Sequence, residues 1–325
     1  MPTSRINSKV ETVNSNTKQT LGGVLLLGGA LSALFWANSP AHETYAWLHQ
    51  FAAIPAAAIF IFFLTVGMEL RHEITDGSLS NLRKAALPIS AAIGGMIVPA
   101  LAFVAFNFQS GSLAGWAIPM STDIAFALAV LAIFGKRLPP EMRVFLLTVA
   151  VVDDVLAIAV IAIFYTSSFS LLSLASVFGV VIGLLLPRGV FKKWATKLEN
   201  VNSMVGLPLF VFFEAGVYIS PTDSSAVLNS TVLYGIVFGL IVGKPLGVLA
   251  GTYIASSITK QKVDWQNLLP IALLCGVGFT VALLMNSLSF IGGTQQSASG
   301  TMGVLVGSAA SASLAVYVMN KRNNA

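Results

Sequence analysis

Ten stretches of 17 to 27 mostly apolar residues follow one another along this 325-residue chain. They lie at 20–37, 51–69, 86–106, 115–134, 144–165, 170–187, 204–220, 230–256, 267–291 and 299–319. About 20 apolar residues suffice for a helix to cross the hydrocarbon core of a bilayer. In that medium an unpaired backbone N–H or C=O is so costly that only helices and closed barrels can span it. The reading is therefore an all-α polytopic membrane protein with about ten transmembrane helices. Charged residues make up 10% of the chain, against about 25% in soluble domains.

The net charge of +5 does not point to nucleic acid, because the basic residues are sorted by membrane side. Seventeen of the 18 Lys and Arg fall before the first stretch, after the last, or in the alternate loops 69–85, 135–143, 188–203 and 257–266. By the positive-inside rule both termini and these loops are cytoplasmic. The first stretch lacks a small-residue cleavage site and reads as a retained helix. No hydrophilic insert is long enough for a soluble domain. A single membrane domain over 1–325, with a short cytoplasmic N-terminus at 1–19, is expected. One cysteine, Cys275, excludes a disulfide framework and a thiol metal site.

Two spans are interrupted. In the fourth, Pro119 removes a backbone donor and Ser121, Thr122 and Asp123 follow at mid-depth; in the ninth, Gly276 and Gly278 flank Val277. Non-helical backbone at membrane depth survives only inside protein or along water. The alternative is an ordinary kink or small-residue crossing. Each break is central in a three-span set, about 86–165 and 230–319, so the two sets form an inverted repeat with two broken, crossing helices.

Five ionisable side chains stand inside the spans: Asp123, Asp153, Asp154, Glu214 and Lys244. Each charge at the bilayer centre costs about 2.5–3.5 kcal/mol even on the lenient scale. Their sum rivals the roughly 5–15 kcal/mol of a typical net stability. Such residues persist where they pair, face water or carry ions, which points to ion or proton translocation. Asp153 and Asp154 project about 100° apart on a helix, so both can border one aqueous cavity without facing one spot. They titrate as a coupled unit and suit a proton or a hard cation, which prefers oxygen ligands. That competition is the physical basis of antiport. A structural pair is the alternative. Asp123 neutralises half-helix dipoles at the break, or ligates the ion directly. Thr122 offers a hydroxyl to an ion or to freed backbone. Lys244 must lose its proton or find an acid, with Asp153 or the half-helix carboxyl ends of span nine as candidates; snorkelling is the alternative. Glu69, His72 and Glu73 cluster at the end of span two, and imidazole is the side chain that titrates near neutrality.

The runs FFLTVGMELRHE (62–73), AAIGGMIVPA (91–100), WAIPMSTDIAFALAVLAIFGKRLP (116–139), VDDVLAIAVIAIFYT (152–166), GLIVGKPLG (239–247) and CGVGFT (275–280) resemble the NhaA-type sodium/proton antiporters. The resemblance covers most of spans two to five and eight to ten, in order. It implies exchange of cytoplasmic sodium or lithium for external protons in the bacterial inner (plasma) membrane, surrounded by lipid, with no cofactor and no enzymatic activity. Asp153 and Asp154 then correspond to the ion- and proton-binding pair that holds Na+. Thr122 and Asp123 correspond to the helix crossing, and Lys244 to the family's membrane lysine. Glu69, His72, Glu73 and Glu199 correspond to a pH-sensing funnel.

Several departures accompany it. Residues 164–166 run almost directly into the next span, as though two consecutive helices were absent. The 38–50 loop is too short for the family's dimer-forming β-hairpin, so a homodimer stays open. AAIPAAA (52–58) replaces an expected Asn-Asp pair. Glu214 stands where the family has a neutral asparagine, as a locally paired acid or as an extra proton-coupling site. Two other functions remain in view: a sodium-coupled organic-anion symporter of related fold, and an intramembrane aspartyl protease, whose Gly-x-Gly-Asp signature is missing.

Overall fold

The computed structural model describes residues 3–80, 82–165, 170–219, 224–290, 292 and 294–324; for 3–19, 78, 82–84, 188–193, 323 and 324 the backbone alone is described. The expected joins at 166–169 and 220–223 lie outside the described residues. Every regular element among the described residues is helical. α1 (Thr3–Ala37) is joined to α3 (Ala53–Thr75) through a short helix, α2 (His42–Leu48). α4 (Leu82–Asn107) leads to the first broken span: a 3-10 segment Leu113–Met120, extended backbone at 121–123, then α5 (Ile124–Phe134). α6 (Pro140–Val160) and α7 (Leu171–Leu185) follow. α8 (Arg188–Val201) continues through a π-helical turn at Asn202–Gly206 into α9 (Leu207–Ala215). α10 (Ser224–Leu228) precedes α11 (Thr231–Phe238), and another π-helical turn, Gly239–Gly243, joins that helix to α12 (Lys244–Thr259). α13 (Trp265–Cys275) and α14 (Phe279–Ser289) form the second broken span, bent by 42°, before α15 (Gln295–Asn324).

Each expected span has a helical counterpart. Among the described residues seven helical stretches are long and apolar enough to cross a membrane, and the bent α13–α14 pair makes an eighth. The remaining two are shorter than the hydropathy implies. α7 has 15 residues, which cover about 22 Å at 1.5 Å each, and α9 has nine residues that extend the helix begun in α8. The 38–50 connection holds α2, with Trp36 Nε1 donating to Thr44 Oγ1 (2.9 Å).

Helices surrounded by lipid associate through close packing rather than through the hydrophobic effect. α4 and α12 cross where Gly94 and Gly247 meet so closely that a Cβ on either would strike the other's carbonyl oxygen. The π-helical turn before α12 then lies against the first broken span: a Cβ on Gly239 would come within 2.9 Å of Pro119, and one on Gly243 within 2.9 Å of Pro99. That approach seats the next residue, Lys244, beside the break. Both broken spans contribute to two apolar clusters, one with Met120 and Phe279, the other with Phe126, Cys275 and Val277.

Candidate functional site at the crossing of two broken helices

At the first break the chain is extended at Ser121 (φ −86°, ψ 157°) and Asp123 (φ −84°, ψ 103°). It lies against the second break, with Asp123 N–H donating to the Val277 carbonyl (2.6 Å). The Asp123 carboxylate serves two helices at once. Oδ1 accepts the Phe126 N–H (2.9 Å) at the start of α5, while Oδ2 accepts the Thr280 N–H (3.1 Å) and hydroxyl (2.8 Å) at the start of α14. Both helix ends carry partial positive charge and unpaired N–H groups. The rings of Phe126 and Phe279 stack across the same junction, 5.4 Å apart. On α15, Ser308 Oγ accepts from Gly278 N (3.2 Å) and Phe279 N (3.3 Å), and Ser311 Oγ donates to Leu273 O (2.8 Å). Thr280, Ser308 and Ser311 have no local signal in sequence; their hydroxyls matter because of what they face.

Asp153 and Asp154 lie on α6, both buried. Asp153 Oδ2 accepts from Lys244 Nζ (2.5 Å) and lies 2.8 Å from the Thr122 hydroxyl. Thr122 Oγ1 is also 2.9 Å from the Cys275 carbonyl at the C-terminal end of α13. One hydroxyl proton serves one of these acceptors at a time. Lys244 Nζ also donates to the Met120 carbonyl. The lysine therefore meets Asp153, as expected, but the half-helix carboxyl end it meets belongs to span four rather than span nine. The π-helical turn against Pro99 and Pro119 dictates that choice.

Asp154 differs sharply from its neighbour. It is 0% exposed, and neither carboxylate oxygen has a hydrogen-bond partner among the described residues. Asp153 Oδ1 and Ser121 Oγ are likewise unpartnered. Asp154 feels Asp153, Glu69 and Asp123, in that order, and Lys244. Buried polar atoms are nearly always hydrogen-bonded in folded proteins, so unpaired carboxylate oxygens fit a group that binds protons or cations. Among the described residues no three of His, Cys, Asp and Glu converge on a metal position. Hydroxyl, carbonyl or water oxygens must complete any cation shell here.

A cavity of about 560 Å³ ends against sequence neighbours of these residues, with none of Asp123, Asp153 and Asp154 in its wall. At roughly 30 Å³ per molecule it has room for on the order of ten to twenty waters. Its wall includes Glu69, His72 and Glu73 of α3, Arg143 and Val151 of α6, and Glu199 of α8. Its inner end reaches Ile124 and Ala125, next to Asp123, and Val151, one helical turn before Asp154 on the same face of α6. The structure thus gathers Glu69, His72, Glu73 and Glu199, which come from helices far apart in sequence. His72 Nδ1 also lies 3.7 Å from Asp76 at the surface. Arg143 and Asn202, also in the wall, escape sequence reading.

Glu214 is set apart. It lies near the end of α9, and its Oε2 accepts the Ser287 hydroxyl of α14. Lys244 is engaged with Asp153 and Met120 instead.

Replacing Asp123 by alanine removes an N-cap from two helices at once. At about 1 kcal/mol per cap, a loss of roughly 2 kcal/mol is expected, with weaker sodium binding alongside. Thermal melting and sodium titration on the same sample check this. Weakened binding with unchanged melting would make Asp123 an ion ligand rather than a cap.

The family model described as Na+/H+ antiporter 1 matches residues 14–189 and 174–319. The chain is 39% identical to the Na(+)/H(+) antiporter NhaA of Mycolicibacterium smegmatis, over 94% of this chain and 86% of that protein. It is 36% identical to Na(+)/H(+) antiporter NhaA 2 of Mycolicibacterium vanbaalenii, over 95% of this chain and 84% of that one. The latter alignment runs over 389 positions against 325 residues, so at least 64 positions of the relative face gaps here. Residues 174–189, which include most of α7, fall in both matched pieces. That overlap begins eight residues past Thr166, after which the sequence reading sees two helices missing.

Proposed function

The chain belongs to the Na+/H+ antiporter 1 family, and on that premise we propose that it exchanges sodium or lithium for protons across a bacterial inner membrane. The observation that carries this reading is the buried Asp154 carboxylate, unpartnered in hydrogen bonding and next to the Lys244–Asp153 pair. A hydrated cation enters through the cavity, sheds water, and is held by Asp154 with the free Oδ1 of Asp153 and neighbouring hydroxyl oxygens. Protons compete for the same oxygens, so cation and proton occupy the site alternately. Lys244 neutralises Asp153 when no cation is bound, and supplies the second proton-coupling group. Both termini and the cavity face the cytoplasm, following the sorted basic loops. The charged residues Glu69, His72, Glu73, Arg143 and Glu199 line this approach and form the pH-sensing entrance to the inner site. The chain works as one membrane domain.

The acidic cavity wall argues against organic-anion symport, since an anion would meet Glu69, Glu73 and Glu199 on its way in. An aspartyl protease needs two carboxyls free to share one water; Asp123 is used in capping and Asp153 is held by Lys244. The direct test is sodium-driven proton movement in inverted vesicles from antiporter-deficient cells, scanned over pH. Sodium addition is expected to release protons from the acidified lumen, more strongly at some pH values than at others. Sodium-dependent uptake of an organic solute with no proton signal would overturn the proposal.

A further inference from the structure

The exchange scheme leaves Glu214 without a task, and its position supplies one. α9 runs away from the cavity, from Leu207, the last residue of this helix in its wall, to Glu214, seven residues or about 10 Å further along. Its partner Ser287 lies seven residues, about 10 Å, past Thr280 at the crossing. Glu214 therefore stands on the opposite side of the crossing from the cavity, half-buried in a helix that is otherwise apolar (LPLFVFFEA).

Among the described residues no cationic side chain pairs with it. The neighbouring stretches of α1 (20–37), α3 (53–64), α14 and the start of α15 (295–306) contain no Lys, Arg, His, Asp, Glu or Tyr. The titratable groups near it come from the α2 region. Tyr45 bears on Glu214 electrostatically and donates its hydroxyl to the Phe212 carbonyl (2.6 Å). His49 is exposed behind it, 5.0 Å from the Tyr45 ring and 5.8 Å from Phe213. A carboxyl packed among apolar helices with a hydroxyl donor and no basic partner is compensated by a proton or a bound cation.

The geometry points to Glu214 as a second cation- and proton-accepting carboxylate, an outer station between the crossing and the membrane face opposite the cavity, steered by the Ser287 hydroxyl. This rests on the exchange reading above. A cation leaving Asp154 outward meets the Glu214 carboxylate, and an external proton displaces it there before passing inward. No covalent step is involved.

The test compares the two faces. In proteoliposomes of uniform orientation, Glu214→Gln is expected to raise the apparent KM for sodium supplied at the face opposite the cavity about tenfold, while the KM at the cavity face changes less than about twofold. Ser287→Ala, which keeps the charge and removes its hydrogen bond, should shift the same outer KM in the same direction by a smaller factor. Equal changes at both faces, or lower thermal stability with unchanged kinetics, would overturn the proposal and leave a structural clasp. A second readout does not depend on transport. Infrared difference spectra of the purified protein should show a protonated-carboxyl band that sodium removes and that Glu214→Gln lacks. If the parent performs no exchange, the exchange reading fails while this band still decides whether Glu214 binds; its absence in the parent would sink the outer site.

Discussion

Replacing Asp154 by asparagine will leave a folded protein with no measurable sodium/proton exchange. Neither Asp154 oxygen makes a hydrogen bond among the described residues, so the amide forfeits no native bond and keeps nearly the same volume. It also relieves the crowding of acids around this position, where Asp153, Glu69 and Asp123 all act on one carboxyl. Thermal melting should therefore stay close to that of the parent. Loss of the charge falls entirely on cation binding. Charge-assisted contacts of this kind contribute enough that affinity should drop by on the order of 100-fold or more, and the exchangeable proton disappears with them. Proton release from inverted vesicles, compared with melting of the purified variant, separates the two effects. Normal exchange in the variant would remove Asp154 from the binding site.

Lys244→Gln is expected to have the second-largest effect, and it acts on stability and coupling together. The lysine is 1% exposed and its ammonium bonds Asp153 and the Met120 carbonyl. Removing one member of a buried ion pair costs about 3–5 kcal/mol, because the other charge is left uncompensated. The penalty is full at high pH, where Asp153 stays ionised, and shrinks at low pH as Asp153 takes up a proton. Melting measured against pH should show that slope. A double variant with Asp153→Asn removes both charges and should recover part of the loss, as a coupled pair requires. For transport, a cation that displaces Lys244 from Asp153 frees the lysine to release a proton. With Asp154 also giving up its proton, each cycle moves more protons than sodium ions and carries net charge. Lys244→Gln should abolish the current on a solid-supported membrane while leaving some electroneutral exchange, read with a pH dye. Unchanged current per sodium ion moved would make the lysine a structural tie.

The sequence by itself determined which parts of this protein lie in the membrane, and which residues there need a special reason to exist. Hydrocarbon imposes that from one dimension alone: apolar runs must be helical, basic loops sort by side, and a charge inside a span must be compensated. The Pro119–Asp123 and Gly276–Gly278 interruptions are legible for the same reason, because each withdraws backbone donors or helix-forming residues at mid-depth. The motifs around Asp123 and Asp153 pointed to the family, and Glu199 could be joined to Glu69, His72 and Glu73 through that resemblance. Partnership was another matter. Lys244 and Asp153 are 91 residues apart, and Asp123 and Thr280 are 157 apart. Nothing local selects Met120 over the ends of span nine for Lys244, or Ser287 for Glu214. Those choices depend on helix rotation and depth. Backbone contacts at Gly94 and Gly247, and the π-helical turn against Pro99 and Pro119, set both for α12. Only the tertiary structure could decide that Asp123 caps two helices, that Asp153 is paired while adjacent Asp154 has no hydrogen-bond partner, and that Glu214 stands across the crossing from the cavity. The first two are facts about which side chains packing brings within about 3 Å, a distance at which a hydrogen bond forms and beyond which it fails, and the third is a matter of helix depth.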